Sequence, residues 1–148
     1  SNLGNIKGSL SVALNKADAF IGVSAGNVVS QDMVKSMNSD AIVFALANPT
    51  PEISRDLALE AGARVYGAGI SNIPNQINNA LVFPGIFKGL LKARVKQIDT
   101  DMEIAACKAL AGLVSDEALT EDYIIPDVFN ENVTKAISEA IIKCQSEK

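Results

Sequence analysis

At 148 residues the chain is expected to form a single domain, residues 1–148, with a sizeable buried core. A formal charge of −4 and scattered lysines argue against a nucleic-acid surface, and the absence of histidine excludes His-dependent acid–base or metal chemistry within the chain. No apolar run approaches the roughly 18 residues of a membrane span. Cys107 and Cys144 fall among apolar neighbours in helical patterns, so both read as small core residues of a cytoplasmic, reducing-compartment protein.

Ser9 is placed to cap a short helix through Lys16. Ala19 to Ser24 then reads as a buried strand that ends in Ala25-Gly26-Asn27. Ser30 caps the next helix, with Met33, Val34 and Met37 on one side. Ala41 to Ala47 is a continuous apolar run, the pattern of a strand covered on both faces, and it stops at Asn48-Pro49-Thr50-Pro51. A third helix is predicted over 54–61, closed by Gly62, and a third strand over 64–68. A long helix should follow from Pro74, kinked or broken at Pro84-Gly85 and continuing over 86–92, where Lys88, Lys92, Arg94 and Lys96 form a solvated face. Thr100 and Glu103 make a capping box ahead of the stripe Met102, Ala105, Ala106, Ala109 and Leu113. Residues 123–129 are an extended connector, and Val133, Ile137, Ala140, Ile141 and Cys144 define a last amphipathic helix.

Helix and strand alternate three times, which implies an α/β fold with a parallel sheet. In such sheets ligands lie at the carboxyl ends of the strands. The three strands end in Ser24-Ala25-Gly26-Asn27, Ala47-Asn48-Pro49-Thr50 and Gly67-Ala68-Gly69-Ile70-Ser71-Asn72, so small and amide residues should converge on one edge. The last of these looks like the start of a dinucleotide fingerprint, but Asn72 replaces the third glycine and no acidic residue ends a following strand. A glycine-lined turn is the stronger reading there. The acidic residues Asp18, Asp32, Asp40, Asp56 and Glu60 fall at helix ends or on outer faces, so no metal ligand is assigned. No acid, base or nucleophile stands out, and no catalytic residue is assigned.

The segment Asn72 to Gly85 carries five side-chain amides in fourteen residues and runs directly into an apolar stretch. Such amides either hold a small oriented ligand or cap a helix and fill a turn.

Three segments resemble the malic enzyme family, especially its short microbial form: Ala17 to Ala25, Ile42 to Glu52 with Ala-Leu-Ala-Asn-Pro-Thr-Pro-Glu, and Pro74 to Phe87 with Asn-Asn-(x)3-Phe-Pro-Gly. The resemblance covers nearly the whole chain. It implies the C-terminal half of a Rossmann-like, doubly wound parallel sheet followed by C-terminal helices. The family oxidises malate with NAD or NADP and decarboxylates the product to pyruvate and CO2 with Mg2+ or Mn2+. By resemblance, Asn48, Asn78 and Asn79 meet malate, while Ser24, Ala25, Gly26 and Asn48 line the cofactor crevice. The family's usual Ser-Ala-Pro-Gly is Ser-Ala-Gly-Asn here, so a side-chain role for Asn27 is not assigned. The tyrosine acid, lysine base, metal ligands and glycine-rich turn belong to family segments with no counterpart here. The chain is therefore expected to be part of a longer, homo-oligomeric enzyme and inactive alone. Two alternatives are malolactic enzyme, which ends at lactate, and a non-catalytic α/β binding or assembly module.

Overall fold

A computed structural model describes residues 4–147. The elements run α1 (Leu10–Leu14), β1 (Ala19–Gly22), α2 (Gln31–Lys35), β2 (Ile42–Ala45), α3 (Arg55–Glu60), β3 (Val65–Ala68), a 3-10 turn (Asn79–Leu81), α4 (Phe83–Ala93), α5 (Thr100–Ala111) and α6 (Glu131–Ser146). The chain divides into two compact units, Ser1–Pro74 and Asn75–Lys148.

The first unit holds a three-stranded parallel sheet in the order β1-β2-β3, with Gly22, Ala45 and Ala68 in register. The strands alternate with helices, as the apolar runs predicted. Ser30 caps α2, its hydroxyl accepting from Met33 N at 3.3 Å. Its core joins Val34, Met37, Val43, Ala45, Ile53, Ala58, Tyr66 and Ala68. Burial differs from expectation. Val43 and Ala45 are completely buried, but Ile42 is 37% exposed, and on β1 Ile21 is 65% exposed. Successive side chains point to opposite faces of a strand, and in β1 and β2 only alternate ones reach this core.

The predicted long helix from Pro74 is absent. Residues 69–78 contain no helix, and α4 starts only at Phe83, with Pro84 in its first turn. Proline's missing N–H and fixed φ suit that position, so Pro84 opens the helix instead of breaking it. The cap of α5 also moves by one residue: the Asp99 carboxylate, not the Thr100 hydroxyl, accepts from Met102 N at 3.0 Å. Gly85 and Gly89, one turn apart on α4, let that helix sit against α6. A methyl group at Gly85 would lie 2.7 Å from Ile137 Cβ, and one at Gly89 2.9 Å from Ile141 Cβ. Cys107 is exposed, against the expectation from its neighbours, whereas Cys144 is half-buried and packs against the core of the second unit; no disulfide joins them. Among the described residues no helix is long and apolar enough to cross a membrane.

Candidate functional site at the strand ends

The parallel register brings the carboxyl ends of β1 and β2 side by side. Beyond them the chain opens a hollow of about 320 Å³ lined by Ser24, Ala25, Gly26, Asn27, Ala47, Asn48, Pro49 and Thr50. Two of the three strand ends predicted to converge therefore do so, and with them Ser24, Ala25, Gly26 and Asn48. Asn27 joins them in a left-handed conformation, φ 60°. The third strand end does not contribute to this hollow. The fingerprint-like turn after β3 is not followed by a helix, so no helix N-terminus stands ready for a phosphate.

The two loops are stitched together. Asn27 N donates to Pro51 O and Val29 N to Glu52 O, each at 3.0 Å. Gly26 is required by proximity, since a Cβ there would sit 2.7 Å from Thr50 Cβ and 2.9 Å from Thr50 O. Beneath the loops lies Glu52, 0% exposed. Its Oε1 accepts from Ser24 N at 2.8 Å and Ser24 Oγ at 3.2 Å, and its Oε2 accepts from Ala47 N at 3.0 Å. Burial is the largest single influence on its pKa and pushes it up. The hydrogen bonds from Ser24 N, Ala47 N, its own N–H and Ser24 Oγ together outweigh burial and hold it below the ordinary 4.5. A carboxylate with its lone pairs so engaged is an anchor and not a general base. Nearby, Tyr66 Oη donates to Ile53 O at 2.8 Å, and burial, then the Glu52 charge, push its pKa up to about 12 against an opposing effect of Arg55. Sequence reasoning quoted Glu52 without giving it a role. The visible signal was a carboxylate between Pro51 and Ile53, just past an apolar strand.

The side-chain amide of Asn48 is exposed and hydrogen-bonds to no other described residue, so both its ends are available.

In the second unit the amide-rich segment separates into two kinds of residue. Asn75 is 5% exposed; its Nδ2 donates to Glu121 O at 2.8 Å and its Oδ1 accepts from Ile124 N at 2.9 Å. It is a clamp on the turns and bends that link α5 to α6, where an extended connector was expected over 123–129. Asn78 caps the 3-10 turn, its Oδ1 accepting from Ala80 N at 2.9 Å, while its Nδ2 donates to no other described residue. Asn79 is exposed beside it. Asn78 thus acts as a cap through its oxygen, while its amide hydrogens stay uncommitted among the described residues.

The family described as "Malic enzyme, NAD binding domain" matches residues 62–146. The chain belongs to the malic enzyme family. It is 49% identical over 140 residues to the bifunctional malic/malolactic enzyme of Bacillus subtilis, covering 95% of this chain and 34% of that one. It is 49% identical over 143 residues to the NAD-dependent malic enzyme of Geobacillus stearothermophilus, covering 97% and 30% respectively. The crystal structure of malic enzyme from Pyrococcus horikoshii superposes with a TM-score of 0.91 at 42% identity, over 99% of this chain and 34% of that chain. The chain thus spans about a third of the length of these malic enzymes.

The residues around the hollow fit a nicotinamide dinucleotide by their chemistry: uncharged, small, and offering a free carboxamide from an anchored loop. No group of three or more Cys, Asp or Glu among the described residues could hold a metal ion, so no step is assigned to one here.

Proposed function

We propose that this chain is part of the NAD(P)-binding domain of a malic enzyme, which oxidises malate and decarboxylates the product to pyruvate and CO2 with NAD or NADP as oxidant. The family match crosses the boundary between the two units, which supports one cofactor domain. The observation that carries the reading is the partner-free Asn48 carboxamide at the mouth of a neutral hollow formed by two strand ends. When bound, the dinucleotide supplies the hydride acceptor, and the residues of this chain bind and orient. Ser24, Ala25 and Gly26 form the cofactor wall. Asn48 serves both nicotinamide and malate, and Asn78 and Asn79 donate to malate carboxylate oxygens. Neutral amides suit that task, because they satisfy a carboxylate without a fixed charge beside the nicotinamide ring.

Mg2+ or Mn2+, the acid and the base are expected from other parts of the enzyme, which would work as a cytoplasmic homo-oligomer. Kinetics of the full-length enzyme test the assignment. Asn78→Ala should weaken malate binding by about 1–3 kcal/mol through an unpaired ligand carboxylate. Asn48→Ala should impair both malate and the cofactor. Unchanged malate kinetics in both variants would remove the amides from the site. The name of the Bacillus subtilis relative, malic/malolactic, gives the alternative outcome a concrete form: lactate in place of pyruvate as the product.

A further inference from the structure

We propose that Glu52 is the positioning residue of the strand-end site, fixing the peptides that carry Ser24 and Asn48; the inference rests on the nicotinamide reading of that site. Each carboxylate oxygen takes one loop. Oε1 holds Ser24 through its N–H and its hydroxyl, and Oε2 holds Ala47, the residue before Asn48. The Glu52 carbonyl then takes Val29 N, and the carbonyl of Pro51 takes Asn27 N. One residue and its neighbour therefore lock both rims of the hollow to each other.

The arrangement has a chemical corollary. The Ser24 hydroxyl hydrogen is committed to Glu52, so toward a ligand Ser24 Oγ offers lone pairs and acts as an acceptor. Its complement would be an amide N–H or a hydroxyl hydrogen of the dinucleotide. Tyr66 from β3 feels the Glu52 charge, and Arg55 from α3 in turn acts on Tyr66.

The test uses the 15N-labelled full-length enzyme that contains this chain, its Glu52→Gln variant, and NAD+ as the probe. Glutamine keeps the volume but turns an N–H group toward one of the donors. Amide hydrogen exchange at Ser24 and Ala47 should accelerate by about tenfold, the scale of a lost hydrogen bond to a charged acceptor, while core amides of β2 hold. NAD+ should shift the amides of residues 24–27 and 47–50 in the parent enzyme, and the variant should need about tenfold more NAD+ for the same shift. Unchanged exchange at Ser24 and Ala47 overturns the proposal. Faster exchange with an unchanged NAD+ midpoint overturns it too, because Glu52 is then structural only. A parent enzyme that is silent to NAD+ removes the nicotinamide reading, whereas the exchange rates still decide whether Glu52 orders the loops. If Glu52→Gln does not fold, acid titration of the parent enzyme replaces it: Ser24 and Ala47 amides should move with one common midpoint below pH 4.5, and separate midpoints overturn the proposal.

Discussion

Asn75 and Asn78 are three residues apart and carry the same side chain, but their surroundings separate them. Asn75, itself buried, spends both ends of its amide on main chain, at Glu121 and Ile124. Removing it breaks both hydrogen bonds of a part-buried amide, so Asn75→Ala should lower the unfolding free energy by about 1–3 kcal/mol in urea titrations. Asn78→Ala removes only a cap and should cost about 1 kcal/mol or less. Equal losses would contradict the division into clamp and ligand-facing amide. Glu52 gives a second residue-scale expectation. Its pKa in the folded chain is lowered from 4.5, so its stabilising effect is complete above that pH and is lost as the pH falls through the lower folded value. Stability measured against pH should therefore fall on acidification below 4.5, and that portion of the fall should vanish in Glu52→Gln. An acid limb identical in both proteins would exclude Glu52 as its source.

At the scale of elements, the α4–α6 contact depends on what α4 lacks. Gly85 and Gly89 form a notch that receives Ile137 and Ile141 of α6. Gly89→Ala would gain helix propensity but push a methyl group to within 2.9 Å of Ile141 Cβ and 3.1 Å of Ser138 O. Overpacking of this kind costs about 1–3 kcal/mol, more than the roughly 1 kcal/mol that alanine gains over glycine in a helix. A net loss of stability on thermal or urea unfolding is the expected result, and a stabilised variant would show that the helices can part cheaply. The elements differ in how legible they were. Strands β1 to β3 were readable because apolar runs bounded by Gly, Pro and Asn have few other solutions. The start of α4 was not, because Pro84 breaks a helix only when a helical stretch precedes it, and residues 69–78 run through bends, with Asn75 tied to Ile124 N. The α5 cap slipped by one residue because Asp99 and Thr100 are both good caps and adjacent.

For the whole molecule, the alternation of patterns in the sequence implied the parallel pairing, whereas the strand order β1-β2-β3 and its register come from the fold. Which faces are covered did not follow. An all-apolar run such as Ala41 to Ala47 carries no mark of the partner that meets each side, and Ile42 and Ile21 stay exposed among the described residues. The site was half legible. Its free amides announced themselves, but the buried acid that holds the loops is one carboxylate among 17 acidic residues, and only the fold distinguishes it. At the hollow the chain offers neutral side chains, and the one carboxylate beneath it is already engaged by Ser24 N, Ser24 Oγ and Ala47 N. The purified 148-residue chain should therefore show no malate-dependent reduction of NAD or NADP, read as absorbance at the reduced-nicotinamide band with a divalent ion present. Measurable turnover would overthrow this division of labour.

Position 22 illustrates how a buried acid restricts its neighbours. A Cβ on Gly22 would fall 2.6 Å from Glu52 Cδ and 2.7 Å from the tip of the Phe20 ring, so no side chain fits there while the glutamate stays. The two positions are expected to covary in homologous chains: where 22 acquires an alanine or serine, the side chains at 52 and 20 must shorten or move, and the loops must find another fastening.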